Sequence, residues 1–494
     1  MLVNDIFANH PSDKTAIIYR DQAISYGELR QKINACASYL QQQGVKKGDR
    51  VGLFTKNSPY FMIAYFATVK LGAIIVPFNF QLIAPEVAYI VKDTGMKLLL
   101  VQQPMDLSKD LAEMSVENIP KQIVLTDIPL DNQPEPTLPE IDIHDPAAII
   151  YTSGTTGRPK GATLSQSNIV CNTRDVIGPI DFVESDISLC VLPMYHCFGW
   201  IVSVCCNLRI GATIVIQDGF NLTDTLNLIE KHHINTMSGV PTMYQLFEKS
   251  VEADKLKHFR YFISGGAAMS HILHKNFAIK FGQNVQEGYG LSEATPVTTV
   301  NPHERTKQAS IGLTLPNVTV EIQDPEGHEL KVGEVGEICV KGPNVMLGYW
   351  NRPEDTAHTL RNGWLHTEDL AYRDEEGYIF IVDRLKDMII SSGENVYPRE
   401  VEEALMKHEA VREAAVIGIP DKLRGQSISA FIVLEPNAEV DKKVLRKYLL
   451  ANLAAYKVPK EFVFCEQLPR NNTGKILKTV LREQALNNMV NRHR

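Results

Sequence analysis

Two hydrophobic periods alternate through the first hundred residues. SYGELRQKINACASYL carries apolar residues at 29, 33, 36/37 and 40, the spacing of one helix face, and opens with Ser25 and Glu28 placed as a capping box. DRVGLFTKNS reads as a short strand, PYFMIAYFATVKLG as a helix closed by Gly72, and AIIVPFNF as another strand. EVAYIVKDTG and MKLLLV repeat the alternation. Strands separated by helix-length segments predict parallel pairing in a covered sheet, hence an α/β domain.

The texture then changes three times. DIPLDNQPEPTLPEIDIHDP, at 127–146, is rich in Pro and Asp and predicts a surface connection. DPAAIIYTSGTTGRPKG follows, a strand running into a loop of glycines and hydroxyls. After about 300, VTVEIQDPEGHEL and GEVGEICVKGPNV predict a smaller antiparallel unit. Beyond DRLKDMIISSGENVYP (383–398) come a helix over 399–407 and strands over 412–419 and 427–434. An amphipathic helix follows, with Leu445, Tyr448, Leu449, Leu453 and Tyr456 on one face. The predicted organisation is a large N-terminal domain of covered mixed sheets, 1–384, with its strand-rich subdomain at about 300–384. A small α+β domain, 385–494, completes it.

A chain of 494 residues is long enough for two or three cores. Its net charge of −8 removes the electrostatic case for nucleic acid or a strongly anionic membrane. The longest apolar runs, 61–79 and 200–216, are interrupted by Lys70 and Arg209, so buried helix–strand pairs are expected there and no transmembrane segment. The opening MLVNDIFANHPSDK lacks a basic stretch followed by an apolar one, so no secretory signal is expected. Eight cysteines without CxxC or Cys/His ligand spacing read as reduced packing thiols of a cytoplasmic protein.

YTSGTTGRPKG (151–161) is where the chemistry begins. Glycines let backbone N–H groups turn toward an anion, hydroxyls donate to it, and Lys160 adds charge. A strand feeding such a loop is a phosphate-binding arrangement, although Gly154 and Gly157 lack the Walker A spacing.

The same string resembles the signature of the adenylate-forming superfamily: acyl- and aryl-CoA ligases, peptide-synthetase adenylation domains and firefly-type luciferases. PMYHCFG (193–199), SGGA (264–267), EGYGLSE (287–293), GWLHTED (363–369), DRLKDMI (383–389), ENVYPREVE (394–402) and PRNNTGKILK (469–478) follow in the family's order, so the resemblance covers nearly the whole chain. EGYGLSEATPVTTVNP and KGPNVMLGYW are most similar to bacterial medium- to long-chain fatty-acid:CoA ligases.

The resemblance implies ATP, Mg²⁺ and CoA as the small molecules. Thr152, Ser153, Gly154, Thr155, Thr156, Gly157 and Lys160 would cradle the β- and γ-phosphates. From EGYGLSE, Tyr289 would stack near the adenine, Ser292 would contact the α-phosphate and Glu293 would ligate Mg²⁺, with Glu287, Gly288 and Gly290 also among the nucleotide-binding residues. Gly265, Gly266 and Ala267 would let a flat base or an acyl chain approach the backbone. Asp369 would accept from the ribose hydroxyls and Arg384 would reach the ribose or phosphate. Here Glu368 stands where the family has Gly; Glu adopts positive φ less cheaply, which bears on the local turn, while the ribose contact is expected to remain. Lys475 would bridge the substrate carboxylate and the α-phosphate as their charges meet. Lys386 would be the hinge about which the small domain turns, presenting Ser392, Gly393 and Glu394 to the attacking thiol. His196, with Val240 and Gly265, would border the acyl pocket in a positioning role, because a carboxylate at pH 7 has no proton to lose.

Amino-acid-activating relatives place an Asp near His196, whereas PMYHCFGWIVSVCCN (193–207) contains no carboxylate, which suits a hydrocarbon tail. Fatty over aryl acid rests on the family likeness, as does CoA over a carrier-protein thiol. A non-catalytic nucleotide-binding relative would be expected to lose Lys475, Glu293 or Asp369, and all three are present. Peripheral membrane contact and a homodimer stay open.

Overall fold

The computed structural model describes residues 1–152, 159–391, 394–421, 424–470 and 476–492. The helical period after residue 25 forms Tyr26–Gln42, burying Leu29, Ile33, Cys36 and Leu40. The capping box forms as well: Glu28 N–H donates to Ser25 Oγ at 3.1 Å and Ser25 N–H donates to the Glu28 carboxylate at 2.7 Å. Pro59–Lys70 is apolar all round and buried all round, with Ser58 as its N-cap and Gly72 just beyond its end at φ +65°.

Among the described residues the strands form four sheets. A seven-stranded sheet is ordered Gly348–Tyr349, Lys160–Ser165, Pro146–Thr152, Ile74–Pro77, Arg50–Phe54, Leu98–Val101, Lys121–Val124, and its last five strands are parallel. A nine-stranded sheet has a parallel centre: Val285–Gly290, Tyr261–Ser264, Thr236–Gly239, Ile187–Cys190, Thr213–Ile216 and Thr15–Tyr19. Antiparallel strands flank that centre at both edges. The expected covered mixed sheets are present.

Trp200 ties the two large sheets together. It lies on Gly199–Cys205, a π-helical segment whose residues are all buried. Its ring packs at 4.0 Å from Tyr65, 5.2 Å from Phe66 and 5.5 Å from Phe61, all on the buried helix of the other sheet. No helix among the described residues is long and apolar enough to cross a membrane, and the run at 200–216 is this packed segment followed by a core strand. All eight cysteines are free and six are buried.

The strand-rich stretch forms a five-stranded antiparallel sheet of Thr319–Gln323, Gly336–Lys341, Trp364–Arg373, Leu360–Arg361 and Ile379–Arg384. Another five-stranded sheet follows, built around the long hairpin of Val411–Asp421 and Gly425–Leu434, with helix Pro398–Met406 packed on it. The amphipathic helix beyond is shorter than its apolar face predicted. Lys442–Asn452 buries Leu445 and Leu449, but Leu453 is already extended, and Tyr456 lies in the following turn, 45% exposed. Asn452 Nδ2 donates to the Tyr448 carbonyl at 2.7 Å, a side-chain bond to the last helical turn.

Candidate active site

Parallel strands end with their loops on one side, and four neighbours in the nine-stranded sheet end beside one another. Tyr261–Ser264 leads into Gly265–Ala267, Thr236–Gly239 into Val240, Ile187–Cys190 into the segment holding His196, and Val285–Gly290 into Ser292 and Glu293. Motifs separated by up to a hundred residues thus share one rim. Gly290 has no alternative there, because a Cβ would stand 1.7 Å from the Pro296 carbonyl oxygen.

One cluster joins Tyr289, Asp369 and Arg384. Asp369 and Arg384 are cross-strand partners in the smaller antiparallel sheet. Tyr289 O–H donates to Asp369 Oδ2 at 2.6 Å, and Arg384 Nε lies 3.3 Å from Oδ1. Burial and the Asp369 charge push the Tyr289 phenol well above its ordinary range, so it remains a donor. The turn before Asp369 keeps the conformation a glycine would take: Glu368 sits at φ +59°.

A second cluster gathers Lys160, Tyr349, Glu293 and Asp355. Lys160 heads the strand Lys160–Ser165, and Tyr349 pairs with Ala162 on that strand. Tyr349 O–H donates to Glu293 Oε1 at 2.8 Å, while Lys160 Nζ stands 5.4 Å from the Tyr349 ring centre and pairs with Asp355. Burial pushes the Glu293 carboxyl above its ordinary range, opposed chiefly by the Tyr349 bond. A buried hard oxygen ligand whose charge is resisted by burial fits a Mg²⁺ ion held through a single carboxylate. Thr152, at the end of Pro146–Thr152, pairs with Lys160 across the two strands.

The third face is apolar. A Cβ on Gly265 would meet the Phe198 ring at 3.1 Å, and one on Gly266, at φ +78°, would lie 3.9 Å from Val240. His196 Nδ1 accepts from the Phe198 N–H at 3.2 Å, and desolvation pushes the imidazole down to about 4, so it is neutral at pH 7. Cys197 Sγ meets Ser292 Oγ at 3.2 Å, joining this face to the Glu293 turn.

Glu287 behaves differently from its expected nucleotide contact. Its buried carboxylate is taken up by His274 Nε2 at 2.9 Å and the Met269 N–H at 3.1 Å, so it holds the loop after Gly265 from beneath. Lys386 lies in the exposed turn between Ile379–Arg384 and Ile389–Ser391, and Glu394 starts the strand paired with the latter. Ser153, Gly154, Thr155, Thr156, Gly157, Ser392, Gly393 and Lys475 lie outside the described residues. Tyr349 and Asp355 were absent from the sequence-level site. GYW stood within a recognised motif, but only folding brings Tyr349 to Glu293, and nothing in PEDT singles out Asp355.

Comparisons with known proteins identify the family and the fold. Residues 4–350 match the family described as AMP-binding enzyme, and residues 400–475 match the AMP-binding enzyme C-terminal domain. The chain is 35% identical to a long-chain-fatty-acid–CoA ligase of Bacillus subtilis (strain 168), with 99% of this chain and 94% of that protein covered. It is also 35% identical to a feruloyl-CoA synthase of an Amycolatopsis species, covering 95% and 96%. The crystal structure of ATP-bound MatB from Rhodopseudomonas palustris superposes with a TM-score of 0.91 at 34% identity, covering 98% and 99%.

Proposed function

The chain belongs to the AMP-binding enzyme family and is an acyl-CoA ligase, and from that premise we propose that it is a fatty-acid:CoA ligase. The observation that carries an apolar acid over a charged one is the acyl face: residues 193–207 contain no carboxylate, His196 is neutral, Phe198 packs at Gly265 and Val240 lies beside Gly266. A charged or amino acid would be buried without a partner at such a face, whereas a hydrocarbon tail loses nothing. The B. subtilis relative supports a fatty acid. The feruloyl-CoA synthase supports a second reading, an aryl acid stacked on Phe198.

In the proposed reaction a carboxylate oxygen attacks the α-phosphorus of ATP. The new P–O bond forms as the bond to the bridging oxygen breaks, and pyrophosphate leaves. The thiolate of CoA then attacks the acyl carbon, and AMP departs with the carboxylate's oxygen. The first step brings anions together, so its catalyst must supply fixed cations and donors. We assign the Tyr289–Asp369–Arg384 cluster to the ribose, Lys160 and the 152–157 loop to the β- and γ-phosphates, and Ser292 and Lys475 to the α-phosphate. Mg²⁺ at Glu293 would supply positive charge beside the phosphates. Asp355 holds Lys160 in place by an ion pair until the phosphates compete for it. Lys386 is proposed as the hinge of the C-terminal unit, which begins near residue 385.

The test is pyrophosphate release with Mg·ATP across fatty acids of increasing length and across benzoates, with and without CoA. Release with a fatty acid, acyl-CoA formed only with CoA, and loss of the first step in Lys475→Ala are expected. Release confined to aryl acids would overturn the fatty-acid assignment, and acyl-AMP accumulating despite CoA would point to a carrier-protein thiol.

A further inference from the structure

The turn that delivers Asp369 is an excursion from a β-ladder. Strand Gly336–Lys341 pairs Glu337 with Leu370 and Cys339 with His366. Between those pairs one strand has a single residue, Ile338, and the other has three: Thr367, Glu368 and Asp369. Such a bulge re-aims side chains at the margin of a sheet. Here it carries a Glu at φ +59°, a left-handed conformation that a non-glycine residue adopts only against steric strain. Something must hold it.

We propose that Glu337 and His366 are positioning residues for the nucleotide: they clamp the 367–369 bulge and thereby aim Asp369. This rests on the reading of Asp369 as the ribose contact. Glu337 Oε1 accepts the Glu368 N–H at 2.9 Å, the bond that satisfies the bulged backbone at the strained residue. Glu337 Oε2 accepts from His366 Nδ1 at 2.8 Å, and Arg361 lies 3.3 Å away. A carboxylate only accepts, so Nδ1 carries the hydrogen and the ring is fixed in that tautomer. Three further bonds complete the bulge: Thr367 O–H to the Ile338 carbonyl at 2.8 Å, Leu385 N–H to the Glu368 carbonyl at 2.8 Å, and Asp369 N–H to Thr367 Oγ1 at 3.1 Å. The second ties the bulge to the residue after Arg384, so one carboxylate organises both sides of the ribose cluster.

Glu337, Cys339 and His366 also present potential metal ligands within 4.8 Å of one another. The Glu337 oxygens are already committed to an N–H, an imidazole and a guanidinium. Burial pushes the Cys339 thiol up to about 12, so it stays protonated. The trio is a hydrogen-bonded support.

The test compares kcat/KM for ATP with that for 2′,3′-dideoxy-ATP, which lacks the hydroxyls Asp369 would hold, by pyrophosphate release. Glu337→Ala is expected to lower the ATP:dideoxy-ATP ratio about tenfold, mostly through KM for ATP, as loss of one bond to a charged acceptor implies. In a Glu368→Gly background, where the turn no longer needs clamping, the same change should cost less than about threefold. Glu337→Gln, isosteric and without a cavity, gives a smaller drop in the same direction and serves if the alanine variant does not fold. Equal losses in both backgrounds, or lowered melting temperature with an unchanged ratio, would overturn the proposal. Asp369→Ala separates the two layers. If it leaves the ratio intact, the ribose assignment itself is wrong; if it collapses the ratio while Glu337→Ala does not, only the clamp is wrong.

Discussion

Replacing Tyr349 by Phe isolates one hydrogen bond at the proposed phosphate side. The ring that faces Lys160 is kept, and only the O–H that donates to Glu293 Oε1 at 2.8 Å is lost. A bond to a buried ionised acceptor is worth about 1.5–3 kcal/mol, against about 0.5–1.5 for the neutral acid. The difference, about 1–1.5 kcal/mol, is close to one pKa unit. Burial already holds the Glu293 carboxyl above its ordinary value, and Tyr349 is the main influence opposing that rise. The acid limb of kcat/KM for ATP should therefore lie above the usual carboxylate range in the wild type, and about one unit higher in Tyr349→Phe. On the high-pH plateau the two enzymes should differ only a few-fold. An acid limb that stays in place, with activity lower by the same factor at every pH, would refute the claim that Glu293 acts as a carboxylate tuned by Tyr349.

Two further outcomes follow from buried charge. The His196 imidazole is pushed from 6.5 down to about 4, so it contributes stability that is present above about 6.5 and lost as pH falls toward 4; melting temperature should fall less steeply over that window in His196→Gln, and an unchanged slope would contradict it. Lys478 is bonded to Glu402 at 2.8 Å and, despite burial that disfavours its charge, is held charged by Glu402, Asp383 and Asp387. Lys478→Met should destabilise the C-terminal unit by about 2–4 kcal/mol in denaturant titrations, by stranding those carboxylates, and a near-neutral effect would show that they find other partners.

The departure at Glu368 shows how much of the site could be read in one dimension. A glycine position occupied by Glu left the turn open, since propensity weighs only the residue itself. The structure keeps the turn because Glu337, thirty-one positions earlier, accepts the Glu368 N–H, and no local signal connects the two. Glu287 illustrates the reverse: its motif suggested a nucleotide contact, but the depth of its strand points the carboxylate at His274 and the Met269 N–H. Tyr456 matched the helix period yet lies past the helix end, because periodicity registers spacing and does not register where the backbone turns extended.

Hydrophobic period, capping pairs and turn glycines act over a few residues, so the sequence alone determined the helices, the alternation of strand and helix, and the α/β character of the chain. Its ordered motifs carried the reaction class. Which side chains meet was decided only by tertiary structure: Tyr349 with Glu293, Lys160 with Asp355, Tyr289 with Asp369, and Glu337 with the bulge before Asp369. Those contacts span 56, 195, 80 and 31 residues. They depend on strand order and register, which are set by how the sheets bury their faces against one another and not by any single segment.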